Sequence, residues 1–260
     1  MNILEKTTDL GTYLNEREDV TQWQISATEM NRREIYLIGE KIEQLRAVED
    51  RDFKVTIFCD KEENGDLKRG SALACLSEEE AASPALRDAI ISDAVYAAGL
   101  GLNTHFTLDD FKTNDRELLS CDFEAVKLPT ETVENIAKRT IEAVRKEKDV
   151  YLAAAEAFVS HNKRVRSNSN GLFHEDETSL CTYELAVGSE IDSDVETQCL
   201  LKERFLKNLP IEEIVSRYAG YCRDNTIATL PPSGIGKIIF TDESFESLFD
   251  YFKSQSNGAS

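Results

Sequence analysis

Hydrophobic and polar positions alternate most clearly where Phe53, Val55, Ile57 and Cys59 interleave with Lys54, Thr56, Phe58 and Asp60. A period of two predicts a strand with one buried face. Asn64-Gly65-Asp66 follows as hairpin-turn chemistry, so residues 67–76 are expected to return as the next strand. Upstream, Val20, Trp23, Ile25 and Ala27 stand among polar residues, and residues 34–38 continue the extended pattern. Gly39-Glu40 reads as a turn into a further segment, 42–48. Helical spacing appears in three places before residue 150. Residues 3–13 carry Leu4 and Leu10. Leu86, Ala89, Ile90, Ala94 and Ala97 follow a Ser83-Pro84 start and stop at Gly99 and Gly101. Val133, Ile136, Ala137, Thr140, Ile141 and Val144 form the longest stripe, from Pro129-Thr130-Glu131 to the basic Arg145, Lys146 and Lys148, an order that suits the helix dipole.

Strand patterns then recur at 151–159, 163–167, 172–187 and 195–206, with Asn168-Ser169-Asn170-Gly171 as the turn between the second and third. Pro210 opens a helix burying Ile211, Ile214, Val215, Tyr218 and Cys222. Leu230-Pro231-Pro232-Ser233-Gly234 is a rigid connection, 237–240 reads as a short strand, and Asp242 caps a last helix with Phe245, Leu248, Phe249 and Phe252 in register. Strands and helices segregate rather than alternate, which predicts an α+β fold: two units of antiparallel strands with packed helices, plus the start of a third domain. The expected boundaries are an N-terminal domain over 1–101, an acidic linker over 102–124, a central domain over 125–228 and a further opening segment over 229–260.

Composition narrows the function. Lys and Arg number 30 against 49 Asp and Glu, a net charge of −19. Nucleic-acid binding depends on basic side chains displacing counterions, so this field repels a duplex and no nucleic-acid partner is expected. The one dense basic cluster, Lys163, Arg164 and Arg166, reads as a solvated hairpin edge, with 164 and 166 on one face and 163 on the other. No run of eighteen apolar residues occurs, so no membrane span is expected. The first fifteen residues carry acids and lack the basic start and apolar block of a secretion signal, which points to the cytoplasm.

Catalytic equipment is missing from the pattern. Cysteines 59, 75, 121, 181, 199 and 222 show no CxxC pair and no histidine at zinc-finger distance, so they are expected reduced and buried. His174-Glu175 is the only His-Glu pair, and Thr178 and Ser179 stand where a second imidazole is needed; His105 and His161 are scattered. Gly234-Ile235-Gly236-Lys237 has the outline of a phosphate loop, but Ile238 follows the lysine and Pro231 replaces the first glycine. Asp192, Asp194, Glu196 and Glu203 fit a calcium-loop template except at its turn position, which is Thr197, and residues 197–205 alternate like a strand. The residues themselves assign no catalytic, cofactor-binding or metal-binding position.

A family likeness lies in the order of several segments. Residues 162–178, NKRVRSNSNGLFHEDET, resemble the central domain of TldD/PmbA proteins, known as modulators of DNA gyrase and regarded as metalloproteases. Residues 32–71, ending in Arg69-Gly70-Ser71, resemble the first domain. Residues 86–98 resemble the helix after it, and 231–260 the opening of the third. The resemblance implies involvement in proteolysis through assembly and peptide binding, with a homodimer or a heterodimer with a paralogue and an unfolded peptide as partners. Catalytic members carry a His-Glu-x-x-x-His helix in the third domain, past residue 260, so the zinc of full-length relatives maps onto no position here. The expectation is a truncated or short relative that is not catalytic alone. The alternatives are a non-catalytic partner of an active paralogue and a binding module unrelated to proteolysis. Extended edges flanking the 168–171 hairpin are expected to accept a peptide by strand addition.

Overall fold

A computed structural model describes residues 2–108, 120–240 and 242–256. The chain divides into two compact units, Met1–Thr226 and Ile227–Ser260. The first is built on one antiparallel sheet: β1 (Gln22–Ile38), β2 (Lys41–Glu63), β3 (Asp66–Ser77), β4 (Leu102–Thr104), β5 (Val150–Asn168), β6 (Phe173–Ser189) and β7 (Glu196–Glu203). Their order across the sheet is β4-β3-β2-β1-β5-β6-β7. Among the described residues, six α-helices accompany them: α1 (Ile3–Asn15), α2 (Glu78–Ala82), α3 (Pro84–Leu100), α4 (Phe123–Lys127), α5 (Pro129–Val144) and α6 (Ile211–Thr226). The class is α+β.

The strands of 1–101 and 125–228 share this one sheet. Central strand β1 pairs with β2 along one side and with β5 along the other, from Gln24 opposite Asn168 to Ile38 opposite Ala154. Its odd-numbered residues Trp23, Ile25, Ala27, Ile35 and Leu37 are buried on one face. At one end of that face, α1 and α3 bury Leu10, Leu14, Ile91 and Ala94 against Trp23, Ile25, Phe53, Val55 and Leu76. At the other end, α5 and α6 bury Val133, Ile136, Ile214 and Val215 against Ile35, Ala157, Tyr183 and Leu185. Each fully buried side chain of this size contributes ~1.5–3 kcal/mol relative to exposure. Between the cores runs a polar belt in cross-strand register: Glu29 with Arg51 and Lys163, Asn31 with Glu49 and His161.

Local chemistry explains the elements. The Asn2 side chain and Glu5 form a capping box that starts α1. Pro129 opens α5, whose buried Val133, Ile136, Ala137, Thr140 and Val144 recur at helical spacing. Asn64 and Gly65 take φ of 55° and 86°, the left-handed pair of a type I′ turn, which closes β2 onto β3. The Asn168 side chain accepts hydrogen bonds from the amides of Asn170 and Leu172, both 3.0 Å, and fixes the β5–β6 turn.

Several expectations change. The segment 42–48 is part of one long β2, and 151–159 and 163–167 are one strand, because β1 runs alongside 41–58 of β2 and 154–168 of β5. Helix α3 continues through Gly99 to Leu100. Of the expected 102–124 linker, residues 102–104 form β4 and Asp122 caps α4, whereas 109–119 lie outside the described residues. No strand forms over 237–240: Ile238 and Ile239 are exposed and have no neighbouring strand, and an extended segment without a ladder leaves its backbone groups to water. The second unit's regular element is α7 (Asp242–Ser256), with the rings of Phe245 and Phe249 4.7 Å apart and those of Phe249 and Phe252 6.1 Å apart.

Candidate functional site

Alternation sends the even-numbered residues of β1 to the face opposite both cores. Two buried charges lie there, in different surroundings. Arg69 on β3 is only 3% exposed. Its guanidinium donates to both carboxylate oxygens of Asp60 at 2.7 and 2.8 Å, the bidentate geometry that makes such pairs strong. It also donates to the Gln22 side chain and to the Phe106 carbonyl. The Phe58 and Phe106 rings flank it at 5.8 and 5.4 Å. The Arg69 hydrogen bonds, followed by its charge and that of nearby His105, hold the Asp60 carboxyl below its ordinary range against the opposing effect of burial. Residues 105–108 thereby lie as a strap across this end of the face, and Asn170 secures its far end by donating to the Leu108 carbonyl at 2.6 Å.

The second charge is Glu34 on β1, 2% exposed. Arg32 approaches one carboxylate oxygen at 2.6 Å, Arg46 approaches the other at 3.5 Å, and the Tyr36 hydroxyl donates to it at 2.8 Å. Phe158 packs edge-on against Tyr36 and lies beneath Arg32. One strand further, Glu156 stands directly opposite Glu184. Burial, then Glu184, then Glu34 raise the Glu156 carboxyl above its ordinary range. The cluster therefore carries more acid than its arginines neutralise.

The sequence marked no residue of either cluster as a site. The available signal was Arg69-Gly70-Ser71, and the structure gives its physical content. Arg69 fills the buried pair, while a Cβ on Gly70 would fall 1.8 Å from the Ala98 carbonyl oxygen of α3. Only glycine permits that approach of strand to helix.

The residues weighed from sequence are dispersed. His105 lies 3.4 Å from Asp60, His161 is 2.8 Å from Glu177 in the polar belt, and His174 is opposite Arg166. Among the described residues, no group of three or more His, Cys, Asp or Glu side chains is placed to hold a metal. The basic cluster is not at an edge: β5 is interior, and β6 supplies Glu177 at 3.6 Å from Lys163 and Asp176 at 3.2 Å from Arg164. Of the expected peptide-accepting edges beside the 168–171 hairpin, the β5 side is taken, since β5 lies between β1 and β6, whereas β7 pairs with β6 only over 181–188 and leaves 173–178 of β6 without a strand partner among the described residues. Cys121, Cys181, Cys199 and Cys222 are buried, and burial pushes the Cys181 thiol up to about 12. Cys75 is exposed and Cys59 half-buried, against the expectation of burial. Cys75 falls on the face away from the core, opposite Lys54. Asp192 and Asp194 sit in the turn after β6, whereas Glu196 and Glu203 are the two ends of β7, so no calcium loop forms. Residues 234–237 have no regular structure, and 238–240 directly after the lysine are not helical, so no helix N-terminus opens there to cradle phosphate.

No protein-family model matches the chain, and no curated protein matches its sequence. Solved structures do match. TldE from Thermococcus kodakarensis aligns at a TM-score of 0.63 and 18% identity, covering 84% of this chain and 47% of that one. A protein from Thermotoga maritima described as a modulator of DNA gyrase aligns at 0.69 and 16%, covering 88% and 50%. Another so described, from Bacteroides thetaiotaomicron, aligns at 0.65 and 11%, covering 85% and 50%. At these identities the likeness is one of fold, and the fold is that of TldD/PmbA proteins. The chain spans about half the length of the solved structures it matches. No helix among the described residues is long and apolar enough to cross a membrane.

Proposed function

We propose that this chain serves a TldD/PmbA-type proteolytic system through assembly and peptide handling, and that bond cleavage is the work of a partner chain. The observation that carries this reading is the fold correspondence with TldE and the gyrase modulators, which reaches 84–88% of this chain. The dispersal of His105, His161 and His174 supports it, because zinc hydrolysis needs converging ligands and an open coordination position. A zinc-bearing paralogue with the His-Glu-x-x-x-His helix would donate the metal and the activated water.

Incubated with zinc and an unfolded peptide, this chain alone is expected to leave the peptide intact. Mixed with a full-length paralogue carrying the zinc helix, it is expected to co-purify and to raise that paralogue's cleavage rate. Metal-dependent turnover by this chain alone overturns the division of labour. Failure to retain any such paralogue overturns the assembly role.

A further inference from the structure

On the sheet face opposite the two cores, each even-numbered residue of β1 lies in a row between a residue of β2 and one of β5. Charges along these rows are mostly balanced. The Thr28 row sets Asp52 and Arg164 on its two sides, and Asp176 on β6 reaches Arg164 at 3.2 Å. The Glu34 row sets Arg46 beside Glu34. The Ser26 row differs. Lys54 stands on one side of Ser26 and Arg166 on the other, with His174 next to Arg166. No carboxylate belongs to this row, and the nearest, Asp52 and Asp176, stand on the Thr28 row beside it. Lys54 and Arg166 are exposed, Ser26 and His174 half-buried, and neither Lys54 nor Arg166 has an ion-pair partner among the described residues. Neighbours in register lie about 5 Å apart, so two long cationic arms are rooted about 10 Å from each other with a hydroxyl midway.

Two cations on either side of one hydroxyl repel each other unless an anion joins them. An oxyanion fits: Arg166 offers paired donors, Lys54 a point charge and Ser26 a third donor. Shape and overall charge narrow the ligand further. A row across a sheet face is a platform rather than the concave site that encloses a small molecule, so the anion is one presented by a larger partner. The chain's net charge of −19 repels polyanions such as nucleic acid or an anionic membrane. A single phosphoryl group on an otherwise neutral or basic polypeptide meets both conditions, and arginine-based capture of such groups is a recurrent recognition mode. We infer that Lys54, Ser26 and Arg166, with His174 beside them, bind a phosphorylated side chain of a partner polypeptide. The contact requires neither zinc nor a paralogue, so it stands or falls separately from the proteolytic reading.

Fluorescence anisotropy of the full chain at neutral pH tests the inference, with a short labelled peptide of glycine, serine and lysine carrying one phosphoserine. It should bind at least about tenfold more tightly than the same peptide unphosphorylated, the scale of one charge-assisted hydrogen bond. Phosphorylation lowers the peptide's positive charge, so the field of the whole chain works in the opposite direction and only a local cationic contact gives this order. Lys54→Glu and Arg166→Glu should each remove the preference while the melting curve stays close to wild type, since both side chains are exposed. Lys138→Glu makes the same change of net charge on α5, at a side chain 73% exposed, and should leave the preference intact. Inorganic phosphate should displace the peptide, and chloride at equal ionic strength should not. Equal affinity for the two peptides overturns the inference. So does a preference that survives both reversals, one that Lys138→Glu removes as fully, or displacement by chloride as effective as by phosphate.

Discussion

Arg69 and Glu34 are both buried charges on the face of one sheet opposite its two cores, yet they are stabilised differently. Arg69 meets a bidentate carboxylate, a carbonyl and two aromatic faces, and a strap of backbone closes over it. Glu34 is held by two arginines that are 36% and 55% exposed, with the unmatched acids Glu156 and Glu184 close by. Burial of a charge is tolerable when its partners are buried with it, and the balance is looser when they remain in solvent. The first arrangement is a structural lock. The second is a surface with spare negative charge.

The largest effect expected from breaking this comparison is at the lock. Arg69→Met strands Asp60 and frees the strap, and should cost about 3–5 kcal/mol in denaturant unfolding, because one partner of a buried pair is left without compensation. Next to it, Gly70→Ala drives a methyl into the Ala98 carbonyl and should cost about 1–3 kcal/mol, read as a lower urea midpoint with unchanged slope. Glu34→Gln should cost only about 1 kcal/mol by the same measurement, since solvent already screens Arg32 and Arg46.

The smallest effect is also the one that separates the clusters by sign. The Asp60 carboxyl is held below its ordinary 3.8, so its stabilisation is complete above that pH and is lost as pH falls through the depressed value. Glu156 is raised above its ordinary 4.5, so ionising it costs stability, and that cost is relieved as pH falls from neutral towards 4.5. Stability should therefore rise gently on mild acidification and fall below 3.8. Glu156→Gln should flatten the upper limb and raise neutral-pH stability by less than about 1 kcal/mol, the scale of a like-charge cross-strand pair. A thermal-melt series from pH 7 to pH 3 reads both limbs.

The same contrast shows what the residues disclosed in order and what they withheld. Features set by near neighbours were visible: the Asn64-Gly65 turn, the stripe from Val133 to Val144, and the alternation through Phe53 to Cys59. Features set by distant partners were not. Nothing local to Ala27 says that it faces Val165, so the common sheet and the interior position of Lys163, Arg164 and Arg166 stayed hidden. Cys75 has strand spacing that fits either face, and only its register opposite Lys54 decides. At 237–240 the side chains favour a strand, but a strand exists only through its neighbour. Arg69 was legible only as part of Arg-Gly-Ser, since burial of a charge depends on Asp60, Gln22 and Phe106 arriving from three other segments.

The place of β1 at the middle of the sheet has a consequence during synthesis. Its first neighbour, β2, leaves the ribosome immediately behind it, but β5 is complete only at Asn168, 130 residues after Ile38. At ~5–20 residues per second the nascent chain waits roughly 10 s with one flank of its central strand bare. The polar belt of Glu29, Asn31 and Arg33 lies midway along that flank, and it keeps the waiting hairpin wettable until its late neighbour emerges.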